Sequence, residues 1–91
     1  MTTVGRDARV AQGAAVYGSV IGTGACVESG AVVRDSIVGR GATIGAGTML
    51  EGVVVGDGAY VGAGNELLAG VRVSCESRLP DASVRFSHDP S

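Results

Sequence analysis

Read in steps of 17 residues from Val4, the chain divides into four lines with no gap: VGRDARVAQGAAVYGSV (4–20), IGTGACVESGAVVRDSI (21–37), VGRGATIGAGTMLEGVV (38–54) and VGDGAYVGAGNELLAGV (55–71). A fixed internal period constrains a fold more than local propensity does, because each unit must bury its apolar side against the next. The first position of every line is aliphatic: Val4, Ile21, Val38 and Val55. The second is glycine (Gly5, Gly22, Gly39, Gly56) and the fifth is alanine (Ala8, Ala25, Ala42, Ala59). Aliphatic residues return at the seventh position (Val10, Val27, Ile44, Val61) and the thirteenth (Val16, Val33, Leu50, Leu67). The tenth is again glycine (Gly13, Gly30, Gly47, Gly64), and Val20, Ile37, Val54 and Val71 close the lines.

Steps of 6, 6 and 5 between aliphatic positions fit neither a helix of period 3.6 nor a long alternating strand. They fit a coil of three short extended faces separated by tight corners. Stacked coils let each short strand pair in parallel with its equivalent one coil later, without the crossover that parallel strands usually need. The corners call for glycine, either for a positive φ or for close approach of backbones. In the column Ala14, Ala31, Thr48 and Asn65, the asparagine is expected to hydrogen-bond near its corner. The expected fold is all-β, a parallel solenoid of about four triangular coils. One coil cannot bury enough to offset its ordering, and the end coils present bare strand edges, so a cap or a partner is expected.

Composition agrees. Only Tyr17, Tyr60 and Phe86 are aromatic in 91 residues, too few for the core of an ordinary small globule. Sixteen glycines are unsuited to helices, while 45% hydrophobic content is too high for disorder. A net charge of −2 leaves no electrostatic footprint for nucleic acid or an anionic membrane. All seven basic residues are arginine, which excludes a phosphate loop built on lysine and any lysine Schiff base. Cys26 and Cys75 form neither a disulfide framework nor a zinc set and read as reduced thiols of a cytoplasmic protein. No signal peptide is expected from MTTVGRDARV, and no apolar run approaches the roughly 20 residues that cross a bilayer.

Repeats such as VGRGATIGAGTM and IGTGACVESGAV resemble the hexapeptide repeat, which implies a left-handed parallel β-helix, an exception to the usual right-handed crossover. The runs DSIVGRGATIGAG (35–47), NELLAGVRV (65–73) and LPDASVRFSHD (79–89) resemble the C-terminal domain of bacterial sugar-1-phosphate nucleotidyltransferases, especially mannose-1-phosphate guanylyltransferases. Where that family often carries Trp-Pro-Gly after Arg-Val, this chain has Ser74, Cys75 and Glu76. The resemblance implies that nucleotidyl transfer belongs to a separate N-terminal domain, with a glycine-rich phosphate loop and carboxylates for Mg²⁺. Because the repeat begins at Val4, no such chemistry is expected from this chain alone. The expected layout is a lead-in (1–3), the β-helix (4–73) and a C-terminal cap and tail (74–91).

Segments such as GRGATIG and GDGAYVG lie at corners and lack both dinucleotide spacing and a following helix, so they read as structural. Hexapeptide acyltransferases and γ-type carbonic anhydrases share the solenoid. The resemblance to those enzymes would require a histidine base or three zinc-binding histidines, and this chain has only His88, in a polar tail. No catalytic, cofactor-binding or metal-binding residue is therefore expected, and no cofactor. Arg40 and Asp57, and Arg34 and Glu51, stand one coil apart and are expected to form exposed ion pairs. The alternative role for these side chains is an anion site built from Arg6, Arg34 and Arg40. Tyr17 and Tyr60 are expected to face outward as contact residues. The functional expectation is a non-catalytic module for oligomerisation or regulation, or a truncated enzyme of that type. It would self-associate or dock a nucleotidyltransferase catalytic domain or subunit, with no nucleic acid and no membrane as partner. The alternative is a small acyltransferase whose site lies between subunits.

Overall fold

The computed structural model describes residues 3–68 and 70–81. Within them the chain is a parallel solenoid of three sheets, matching the all-β left-handed β-helix expected. The first face holds β1 (Thr3–Val4), β4 (Val20–Ile21), β7 (Ile37–Val38), β10 (Val54–Val55) and β13 (Arg72–Val73) in that order. The second holds β2 (Arg9–Val10), β5 (Cys26–Val27), β8 (Thr43–Ile44), β11 (Tyr60–Val61) and β14 (Arg78–Leu79). The third holds β3 (Ala15–Tyr17), β6 (Val32–Arg34), β9 (Met49–Glu51) and β12 (Glu66–Leu67).

Residues seventeen apart lie over one another. Val4 pairs with Ile21, Ile21 with Val38, and Val38 with Val55, so the first aliphatic column is a single file. Its members are not equally covered. Val4 is 49% exposed, whereas Ile21, Val38 and Val55 are each 1%. The second file behaves alike: Val10, at the open end, is exposed, and Val27, Ile44 and Val61 are buried. Val33, Leu50 and Leu67 complete the core, with alanines of the fifth column (Ala25, Ala42, Ala59) filling the narrow corners beside them.

The corners use glycine in two separable ways. At Gly41 the backbone has φ +66° with nothing within 4 Å of a would-be Cβ, so conformation alone demands glycine there. At Gly22, φ is not positive, but a Cβ would stand 2.7 Å from both the backbone nitrogen of Arg40 and the carbonyl carbon of Gly39. Glycine at that position lets one coil lie directly on the next.

The last column departs from the sequence reading at its final member. The period lengthens once, at the third corner of the fourth coil: Val54 pairs with Arg72 and Tyr60 with Arg78, a step of 18. Leu67 to Val73 is therefore one residue longer than Leu50 to Val55. Val71 does not continue the column Val20, Ile37, Val54. Its carbonyl accepts from the Val54 N–H at 3.3 Å, in the place where the Val53 carbonyl serves Ile37. The other members of that column, Val20, Ile37 and Val54, face outward. Beyond the fourth coil, β13 and β14 continue the first and second sheets through Ser74, Cys75 and Glu76.

Candidate functional site

The interior of the solenoid is filled, so what this molecule can do is set by its outer faces and its corners. Along each strand the residues flanking an inward side chain point out. The first face presents Thr3, Val20, Ile37, Val54 and Arg72; its three aliphatic members are 41–50% exposed. The third face presents Ala15, Val32, Met49 and Glu66, all half-buried. The second face is different in kind: Arg9, Cys26, Thr43, Tyr60 and Arg78 make it polar and aromatic. Outward aliphatics are thus gathered on the two faces that meet at the third corner.

That shared edge carries Tyr17, Arg34 and Glu51 in register. Tyr17 is 57% exposed, and the Arg34 guanidinium lies over its ring at 5.8 Å. The ion pair expected between Arg34 and Glu51 is not the contact that forms, because Arg34 turns to the aromatic ring one coil below instead. Such a stack sets the cation against the negative face of the ring's quadrupole. Arg40 and Asp57 depart from expectation too: the Asp57 carboxylate accepts from the Arg40 backbone N–H at 2.9 Å. Asp81 does the same for the Ala63 N–H at 2.8 Å, so carboxylates at the first two corners tie a coil to the one below.

The buried polar groups serve packing. The Asn65 amide donates to the carbonyls of Gly62 and Pro80, each at 2.9 Å, and the Thr48 hydroxyl donates to Gly62 at 2.8 Å. The hydrogen bonding expected of Asn65 is present. At the third corner the Ser36 hydroxyl donates to Arg34 (2.8 Å) and accepts from the Val53 N–H (3.1 Å).

Two shallow grooves lie on the second face. One, of about 500 Å³, is bounded by Arg9, Val10, Ala11, Cys26, Val27 and Glu28. The other, of about 360 Å³, is bounded by Tyr60, Arg78, Leu79, Pro80 and Asp81, with the Arg78 guanidinium 5.2 Å from the centre of the Tyr60 ring. The first offers a guanidinium, a carboxylate and a thiol, with no imidazole to serve as a base. His88 lies outside the described residues, as do Phe86 and most of the tail. Among the described residues no cluster of histidine, cysteine or carboxylate has metal-binding geometry. Cys26 is half-buried, Cys75 is exposed, and both are free. No helix among the described residues is long and apolar enough to cross a membrane.

Two features escaped the sequence. The stack of Arg78 on Tyr60 was hidden by the added residue, since a strict 17-residue step pairs Tyr60 with Ser77. The sorting of outward aliphatics onto two faces needed the strand positions, although the alternation around each buried position was the available signal. In comparison with known proteins, the family model described as GlmU-like, C-terminal hexapeptide matches residues 2–82. No curated protein matches the chain.

Proposed function

The chain belongs to the GlmU-like, C-terminal hexapeptide family, and from that premise we propose that it is a non-catalytic β-helix module of the sugar-1-phosphate nucleotidyltransferase type. Its work is to hold subunits together, either copies of itself or a nucleotidyltransferase catalytic domain, in the cytoplasm. The enzymes nearest in kind are the mannose-1-phosphate guanylyltransferases, on the strength of the runs at 35–47, 65–73 and 79–89. The observation that carries the reading is the row Val20, Ile37 and Val54, aliphatic in three successive coils and turned to solvent. Exposed aliphatics aligned on a regular face cost solvation unless a partner covers them.

The test has two arms. Sedimentation equilibrium on the purified chain is expected to give a mass that is a multiple of the monomer, and a monomer at every concentration overturns self-association. Incubation with GTP and mannose 1-phosphate, and separately with acetyl-CoA and an amino-sugar acceptor, is expected to give no turnover. Acetyl transfer that disappears in His88→Ala would replace this reading with an acyltransferase whose site lies between subunits.

A further inference from the structure

The open end of the solenoid offers a contact separate from the outer row of Val20, Ile37 and Val54. Resting on the self-association proposed above, we propose that a second copy of this chain caps the first coil, end against end. The two copies are related by a two-fold axis that crosses the solenoid at right angles beneath Val10. Their inward files then run on as one core, with the chain direction reversed at the junction.

The first coil is built to be covered. Val4 and Val10 stand in the core files yet are exposed, and Val16 is half-buried. Thr3 and Gly5 donate upward to the carbonyls of Ser19 and Ile21, and Arg9 and Ala11 to those of Ala25 and Val27. Alternate residues of a strand bond to opposite sides, so Val4 and Val10 direct their N–H and C=O groups to the open side. Such an edge is a template for another chain.

The spacing of this coil selects its own copy as the occupant. Val4, Val10 and Val16 follow one another at steps of six. A climb of about 4.8 Å per 17-residue coil puts Val4 about 1.7 Å below Val10 and Val16 as far above it. In a copy turned over by the two-fold axis that order is reversed. When Val10 meets Val10 of the second copy at one strand spacing, the offsets cancel and Val4 meets Val16 at the same spacing. The corners agree as well. Asp7 and Gly13, three residues before and after Val10, both have positive φ, 60° and 84°, so the corners flanking β2 exchange places under the axis. Val10 and its counterpart form a hydrogen-bonded antiparallel pair, each N–H donating to the other's carbonyl. On the outside Thr3 falls opposite Tyr17 and Arg9 opposite Ala11, so no like charges face each other.

Other placements satisfy less. An axis beneath Val16 sets Val10 against Gly22, whose lower side Gly5 already covers. An axis beneath Val4 pairs Val4 with itself and leaves Val10 and Val16 uncovered. Head-to-tail stacking, with β13 and β14 beneath β1 and β2, sets Arg78 directly under Arg9 and repeats without limit as a filament. The two-fold contact closes on itself. Where the chain is dilute enough to dissociate, the first coil is the open end described above.

Cross-linking tests the arrangement in a chain carrying Cys26→Ser and Cys75→Ser. A hydrogen-bonded antiparallel pair holds its Cα atoms about 5.5 Å apart, within disulfide range. Under copper phenanthroline, Val10→Cys is expected to cross-link to itself. Val4→Cys and Val16→Cys should each remain uncross-linked alone and join each other when mixed. Ile37→Asp, on the outer row, should leave the Val10→Cys cross-link in place. In sedimentation equilibrium Val10→Asp should halve the mass of the parent, with circular dichroism confirming that the variant is folded. A Val10→Cys chain that stays reduced, a Val4→Cys chain that cross-links to itself, or a cross-link lost in Ile37→Asp overturns the end-on contact. If the parent's mass is still a multiple of the monomer, self-association by another surface survives that result. A parent chain that is monomeric throughout removes both.

Discussion

The first coil and the second are built from nearly the same side chains in the same files, yet they differ in what those side chains contribute. Val4 and Ile21 are register partners, one half exposed and the other sealed. Val10 and Val27 repeat the contrast in the second file. Residue type does not decide burial in this stack; a coil on either side does. Stability accumulates from neighbour contacts, so the middle coils carry most of it and the open end carries little.

Substitutions can break or sharpen that contrast. The largest effect is expected in the third file, where Leu50→Ala should lower the unfolding free energy by about 2–5 kcal/mol in urea denaturation. Val4→Ala, at the open end of the first file, should cost less than about 1 kcal/mol, since half of its side chain already meets water. Equal losses at the two positions would refute the idea that flanking coils, and not residue type, decide burial. Next comes Gly22→Ala, whose new methyl group would press on the backbone of the coil above. A destabilisation of about 1–3 kcal/mol, read from the same transitions, is expected from this overpacking.

Gly41→Val should cost about 1–2 kcal/mol, through positive φ alone, since no neighbour stands near that corner. The two glycines are distinguishable by a further variant: Gly41→Asn should recover most of the loss, because asparagine tolerates the left-handed region, while Gly22→Asn should not. Ser36→Ala leaves the Val53 N–H without its hydroxyl acceptor and should cost about 1–2 kcal/mol. The smallest change is expected at the surface, where Tyr17→Ala removes the Arg34 stack and should shift stability by no more than about 1 kcal/mol. Thermal melts with matched controls would resolve that order.

Most of the fold was legible because a solenoid writes its geometry directly into residue spacing. Val4, Ile21, Val38 and Val55 had to share a file once the period was recognised, and Asn65 had to find partners once its column was seen to be interior. Orientation at the last position of each coil was less legible. An aliphatic residue beside another aliphatic, as in Ile37–Val38, gives no hint from hydropathy of which one turns inward; only strand alternation decides it. The ion pairs failed for a different reason. Register placed Arg34 beside Glu51 correctly, but a long side chain on an exposed face has several neighbours within reach, and this one lies on Tyr17. The outer surfaces that bear on function depend on just these choices, so they were the least readable part.

The added residue between Leu67 and Val73 has a practical corollary for anyone wishing to lengthen the molecule. Duplicating a cassette such as residues 38–54 would insert a storey whose floor and ceiling both match, and the prism should simply grow taller. A cassette cut across the irregular storey would carry an 18-residue step into the middle of the column, where the extra residue would have to be taken up at the third corner, as it is below β13 and β14.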